Sequence, residues 1–187
     1  PDVDPETHKY IATGLKESKF GISIANAVKE YKLAERLENI DIVGIHKHIG
    51  SQITQTGPFV DAVEKIISLA DILKKEGIEI KYLNIGGGLG ITYKDESPPH
   101  PKELAAELVP ILSKTDYTII FEPGRVIVGN AGILVTKVLY TKVNEGKNFI
   151  VVDAGMNDFI RPSLYDSYQR ILPVIKPDAS EKITADV

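Results

Sequence analysis

The chain contains no cysteine and no tryptophan, and only one of its 187 residues is methionine. Without cysteine there is neither a disulfide nor a thiolate metal site within it, which fits a reducing compartment, so a cytoplasmic location is the expectation. No apolar run approaches the roughly 20 residues that a membrane span needs. Lysine and arginine number 22 against 26 acidic residues, a net charge of −4, and no basic tract suggests a nucleic-acid footprint. Neither membrane nor nucleic acid is therefore an expected partner. The opening, Pro1-Asp2-Val3-Asp4-Pro5, has neither the basic start nor the apolar stretch of a signal peptide and does not begin with Met. Ile183 to Val187 ends on a rising strand pattern, so both termini read as cuts through a longer chain.

What is present alternates between two periodicities. Ile40 to Ile45, Ile78 to Ile85 and Tyr117 to Phe121 are short apolar runs that predict buried strands. Between them, Pro58 to Glu76 carries apolar residues at helix-face spacing and meets Gly77 where a C-terminal cap belongs. Further helices are predicted over Asn26 to Leu37 and Lys102 to Leu112. The strand-end landmarks His48, Gly86 and Glu122 are spaced by 38 residues (48 to 86) and 36 (86 to 122). So regular a step suits a parallel barrel or a doubly wound sheet. After Glu122, the stretches Val126 to Val143 and Phe149 to Val152 read as β-rich, broken by glycines and the Asn144-Glu145-Gly146 turn. The expected division is a partial β/α domain over residues 1–127 and the start of an antiparallel β domain over 128–187.

Unusual residues cluster at the strand ends, where the loops of a β/α barrel converge. The first cluster is His46-Lys47-His48-Ile49-Gly50-Ser51-Gln52. An imidazole followed by a small hydroxyl residue suits stacking on an aromatic ring beside an anion, although a loop histidine also forms for purely local reasons. His46 and His48 share one side of an extended segment, but no carboxylate with supporting local spacing stands beside them, and no metal is expected. The second cluster, Gly86-Gly87-Gly88-Leu89-Gly90, follows a strand directly. Four glycines in five residues exceed what a tight turn requires and suit backbone amides turned toward a phosphate. The third is Glu122-Pro123-Gly124-Arg125. A carboxylate ending an apolar strand needs a cation or a protonated ring nitrogen. Arg125 is one candidate; the Pro-Gly turn separating the two side chains leaves each open to a different partner. A fourth segment, Asp158 to Asp166, places Arg161 and Tyr165 so that both can meet a carboxylate-bearing ligand, or simply form an exposed loop.

In order and spacing these segments resemble the fold-type III pyridoxal-phosphate enzymes, the alanine-racemase-like barrel group that includes the basic amino-acid decarboxylases. The resemblance implies an α/β fold, part of a TIM (β/α)8 barrel followed by the start of an antiparallel β domain. It also implies roles: His48 stacking on the pyridine ring; Ser51, Gly86, Gly87 and Gly88 holding the phosphate, with Pro123, Gly124 and Arg125 nearby; Glu122 on the pyridinium nitrogen. Arg125, Arg161 and Tyr165 would bind the amino-acid substrate. The stretch from Asp2-Val3-Asp4-Pro5 to Lys19-Phe20-Gly21-Ile22, with Arg161 to Tyr165, is most similar to the branch that converts meso-2,6-diaminopimelate to L-lysine and CO2. In that group active sites form between two subunits of a homodimer. Its cofactor-bearing lysine would lie upstream of Pro1, and its catalytic cysteine and a cofactor-contacting tyrosine beyond Val187. This stretch alone is therefore not expected to complete the reaction. Other readings are a decarboxylase for another basic amino acid or carboxynorspermidine, an inactive regulatory homologue that binds a decarboxylase subunit, and a phosphate-binding barrel without this cofactor.

Overall fold

The computed structural model describes residues 2–5, 13–14, 19–175 and 183–187. Much of the stretch between Pro5 and Lys19 on which the resemblance drew lies outside these. The chain divides into two compact units, one comprising residues up to Thr92 together with Glu96–Ala131, the other Tyr93–Asp95 with Gly132–Val187.

The first unit follows a β/α rhythm: α1 (Ile24–Ala34), β1 (Gly44–His46), α2 (Gly57–Lys75), β2 (Tyr82–Asn84), α3 (Pro101–Leu112), β3 (Thr118–Ile120) and a single turn, α4 (Arg125–Val128). The strands are parallel, in the order β1-β2-β3, with Gly44, Tyr82 and Thr118 in register. Each regular strand is shorter than its apolar run, because the run's first residues serve other ends. Ile78 illustrates this: its N–H reaches Leu73 O at 2.9 Å while Gly77 N–H reaches Lys74 O at 3.1 Å, with Gly77 at φ +85°. That is a Schellman stop for α2, and it buries Ile78 beside Leu73.

Alternation along the strands sorts the two sheet faces. Ile45 and Leu83 turn to the helices and join the core with Phe59, Val63, Ile66 and Leu73 of α2 and Leu104 and Leu108 of α3. Each such side chain contributes about 1.5–3 kcal/mol of transfer free energy. Helix α3 begins at a built cap: His100 Nδ1 accepts from Lys102 N–H at 3.1 Å, and Glu103 Oε2 accepts from His100 N–H at 2.5 Å. The opposite face carries His46, Asn84 and Ile120, and toward the strand ends His48, Gly86 and Glu122.

Lys47 breaks this sorting. It shares the parity of Ile45 and Ile49, is 4% exposed, and holds its ammonium 5.5 Å from the Phe59 ring with no hydrogen-bond partner among the described residues. Burial pulls its pKa down to about 8. Because the folded value lies below the unfolded one, the unfolded chain binds more protons between about pH 8 and 10.5, and stability rises with pH across that window. Lys47→Met should therefore stabilise the protein at pH 7, on the order of 2 kcal/mol. Denaturant titrations at pH 7 and 10 should show that gain shrink at the higher pH; an equal gain at both would contradict the burial effect.

The expected β-structure from Val126 onward does not begin there. Val126 to Val128 instead forms part of α4, with Ile127 N–H on Gly124 O at 3.0 Å and Gly129 N–H on Arg125 O at 2.7 Å. The Pro-Gly turn reverses the chain, and β-branched residues then complete a helical turn closed by Gly129. Regular strand resumes in the second unit as the antiparallel hairpin β4 (Val138–Asn144) and β5 (Lys147–Val152). Its turn places Glu145 at φ 49° and Gly146 at φ 82°, the backbone of a two-residue type I′ connection. Asp186 bridges parallel to Phe149 beside this hairpin. The last helix, α5, spans Arg161–Tyr165. Among the described residues no helix is long and apolar enough to cross a membrane.

Candidate functional site

Three strand ends of the first unit carry the candidate residues, and the ladder holds them together. Lys47 N–H reaches Asn84 O at 2.9 Å, Ile85 N–H reaches Ile120 O at 2.9 Å, and Glu122 N–H reaches Gly86 O at 2.8 Å. Hydrogen bonding in the parallel direction thus continues past the regular strands, as far as the glycine loop.

His48 is half-buried, and its Nδ1 accepts from Gly87 N–H at 3.3 Å. Desolvation lowers its pKa, a trend that Glu122 opposes and that His46 and Lys47 reinforce. The ring is therefore neutral at pH 7, with its proton on Nε2. The His48 carbonyl accepts from the Thr13 hydroxyl at 3.1 Å, which fixes the segment from behind.

Glu122 is held on one oxygen. Asn84 Nδ2 donates to Oε1 at 2.7 Å, and His46 Nε2 lies 3.4 Å from the same atom. Asn84 turns its Oδ1 the other way, accepting Gly86 N–H at 2.9 Å, so one carboxamide links the carboxylate to the glycine loop. Oε2 of Glu122 has no hydrogen bond among the described residues. The carboxylate that local spacing did not place beside His46 thus arrives from β3, yet no group of three His, Asp or Glu among the described residues could hold a metal ion.

The glycine loop is crowded by backbone. A Cβ on Gly86 would meet Lys47 O, one on Gly87 would meet Glu122 O, and one on Gly88 would meet Gly50 O. The first and third also have φ of +66° and +117°. These glycines are thus required by close packing of neighbouring strand ends, whatever they bind. Their amides differ: those of Gly86, Gly87 and Gly90 donate to Asn84, His48 and Ile53, whereas that of Gly88 has no acceptor among the described residues. Ser51 is half-buried, two residues before Ile53, whose N–H reaches Gly88 O at 2.9 Å.

Pro123 and Gly124 form the turn into α4, with Gly124 at its N-cap. That turn sends Glu122 and Arg125 to separate partners, for Arg125 Nη1 donates to Gln52 Oε1 at 3.3 Å. In the second unit, Arg161 stacks its guanidinium 5.3 Å from the ring of Tyr165 and 5.9 Å from that of Tyr93, with its Nε buried and without a hydrogen-bond partner among the described residues. The (i, i+4) spacing within α5 makes the first of these contacts. Asn84, His46 and Gln52 had been assigned no role from sequence. A polar residue inside the apolar run before the glycines was the available signal for Asn84.

The chain belongs to the pyridoxal-dependent decarboxylases: residues 1–129 match the model of that family's pyridoxal binding domain. The family's cofactor is pyridoxal phosphate. Within the family the similarity is to diaminopimelate decarboxylases. That of Aquifex aeolicus is 55% identical across the whole chain and that of Vibrio cholerae 51%. The chain spans 44% and 45% of their lengths. Diaminopimelate decarboxylase from Helicobacter pylori complexed with L-lysine matches with a TM-score of 0.87 at 41% identity, over 96% of this chain and 45% of that one. A lysine/ornithine decarboxylase from Vibrio vulnificus complexed with cadaverine matches less well, at TM-score 0.72 and 26% identity over 81% of this chain and 41% of that one.

Proposed function

We propose that the full-length protein decarboxylates meso-2,6-diaminopimelate to L-lysine and CO2, with residues 1–127 forming part of a closed (β/α)8 cofactor barrel and 128–187 opening a β domain. The observation that carries this reading is the holding of Glu122: one carboxylate oxygen accepts from Asn84 and faces His46, and the other, without a hydrogen bond among the described residues, suits a ring N–H. The residues present suit pyridoxal phosphate. His48 offers a neutral, half-buried flat ring to stack on. The Gly88 amide and the Ser51 hydroxyl suit phosphate oxygens, with Gly86 and Gly87 shaping the loop and Pro123, Gly124 and Arg125 closing its far side.

Bound there, pyridoxal phosphate supplies an electron-withdrawing ring that stabilises the charge left when the carboxylate departs as CO2. The part of Glu122 is to hold a proton at the ring nitrogen, which keeps that ring electron-poor. His48 covers one ring face and excludes water from it. Arg125, Arg161 and Tyr165 bind the substrate, a guanidinium pairing with the distal carboxylate through two parallel hydrogen bonds. That carboxylate distinguishes diaminopimelate from ornithine. The active enzyme is a homodimer with shared active sites, as the resemblance implied, and is placed in the cytoplasm, as the lack of cysteine suggested.

The test is direct. Purified full-length protein with pyridoxal phosphate should release CO2 and L-lysine from meso-diaminopimelate and have little activity on ornithine. Turnover of ornithine but not diaminopimelate would overturn the substrate. Failure to develop the visible absorbance of bound pyridoxal phosphate would overturn the class.

A further inference from the structure

We infer that Gln52 is a positioning residue for substrate affinity: its side chain sets where the Arg125 guanidinium stands. This rests on the proposal above that Arg125 meets the substrate's carboxylate. Gln52 adopts φ 59°, the left-handed region, which a residue with a Cβ occupies only when its surroundings hold it there. Two sets of bonds do so. The carboxamide pairs with the Ile91 backbone as a neighbouring strand would, Nε2 donating to Ile91 O at 2.6 Å and Oε1 accepting Ile91 N–H at 3.1 Å. The next residue, Ile53, is fully buried and bonded to Gly88 O at 2.9 Å and to Gly90 N–H at 3.0 Å.

The fourth glycine of the loop has its reason here as well. A Cβ on Gly90 would stand 3.1 Å from Ile53 O and 3.3 Å from Gln52 Cδ, so a side chain there would press on both the backbone after Gln52 and its carboxamide. Oε1, already fixed by Ile91, is the atom that accepts from Arg125 Nη1 at 3.3 Å. Its neutrality matters. An amide oxygen orients the guanidinium without cancelling its charge, whereas a carboxylate at this position would compete with the substrate's own. The phosphate side of the loop is held separately, through the backbone of Ile53, so Gln52 affects substrate more than cofactor.

Steady-state kinetics on the full-length holoenzyme test this. Gln52→Ala should raise KM for meso-diaminopimelate about tenfold, with a smaller change in kcat and unchanged cofactor absorbance. The isosteric Gln52→Glu should also raise KM while retaining cofactor, and it carries the test if the alanine variant does not fold. On an Arg125→Ala background, Gln52→Ala should add nothing further, because the residue it positions is gone. If Arg125→Ala raises KM but neither Gln52 variant does, or if the two effects multiply independently, the inference is overturned and the substrate role of Arg125 stands. If Arg125→Ala leaves KM unchanged, that role itself fails, and the inference with it.

Discussion

Glu122→Gln in the full-length enzyme should lower kcat at least about 100-fold, close to 2.7 kcal/mol in barrier, while changing cofactor affinity far less. The substitution preserves shape and leaves an oxygen to accept from Asn84, whose donor lies 2.7 Å from Oε1 in the parent. What it removes is the negative charge that the proposed role requires beside the ring nitrogen. It also removes the charge facing His46 at 3.4 Å, a half-exposed pair of little weight for stability. The large effect is thus confined to chemistry, and stopped-assay turnover beside a cofactor titration separates the two. Activity within about threefold of the parent, roughly 0.7 kcal/mol, would remove Glu122 from the proposed role.

Gly87→Ala should be among the most damaging single-methyl changes in the first unit. The added carbon would lie against the Glu122 carbonyl oxygen, which has little room to yield because Glu122 N–H is tied to Gly86 O at 2.8 Å. Relief requires β2 and β3 to part at their ends. That movement would displace Glu122 and break the contact of Gly87 N–H with His48 together. An overpacking cost of about 1–3 kcal/mol follows, with a fall in thermal midpoint of at least about 2 °C. The purified variant should also lack most of the bound cofactor's visible absorbance. A variant that keeps both its midpoint and its colour would show that the loop has slack not apparent in its packing.

The three long helices were the most legible elements, whereas the short turns α4 and α5 were not foreseen. α2 has a continuous apolar stripe and a glycine placed for its stop, and both ends fall within a residue or two of the expected ones. The strands were legible as positions but not as lengths, since Ile78 has the composition of a strand residue yet serves as a helix cap. Val126 to Val128 was misread because β-branched residues also fill a single helical turn when a Pro-Gly reversal precedes and a glycine follows. His48, the glycine loop and Glu122 were visible as clusters. The parts played by Asn84, His46 and Gln52 were not, because each depends on the register between strands far apart in sequence. Neither propensity nor motif spacing contains that register; it follows from which faces the core of α2 and α3 buries.

The bond from Gly87 N–H to His48 Nδ1 makes the imidazole a latch as well as a platform. A proton arriving at Nδ1 would turn the acceptor into a second donor facing the amide, so the charged ring and the seated loop exclude one another. Burial already holds that protonation below histidine's usual range. Acidification beyond that point should therefore cost the loop its bond to the ring.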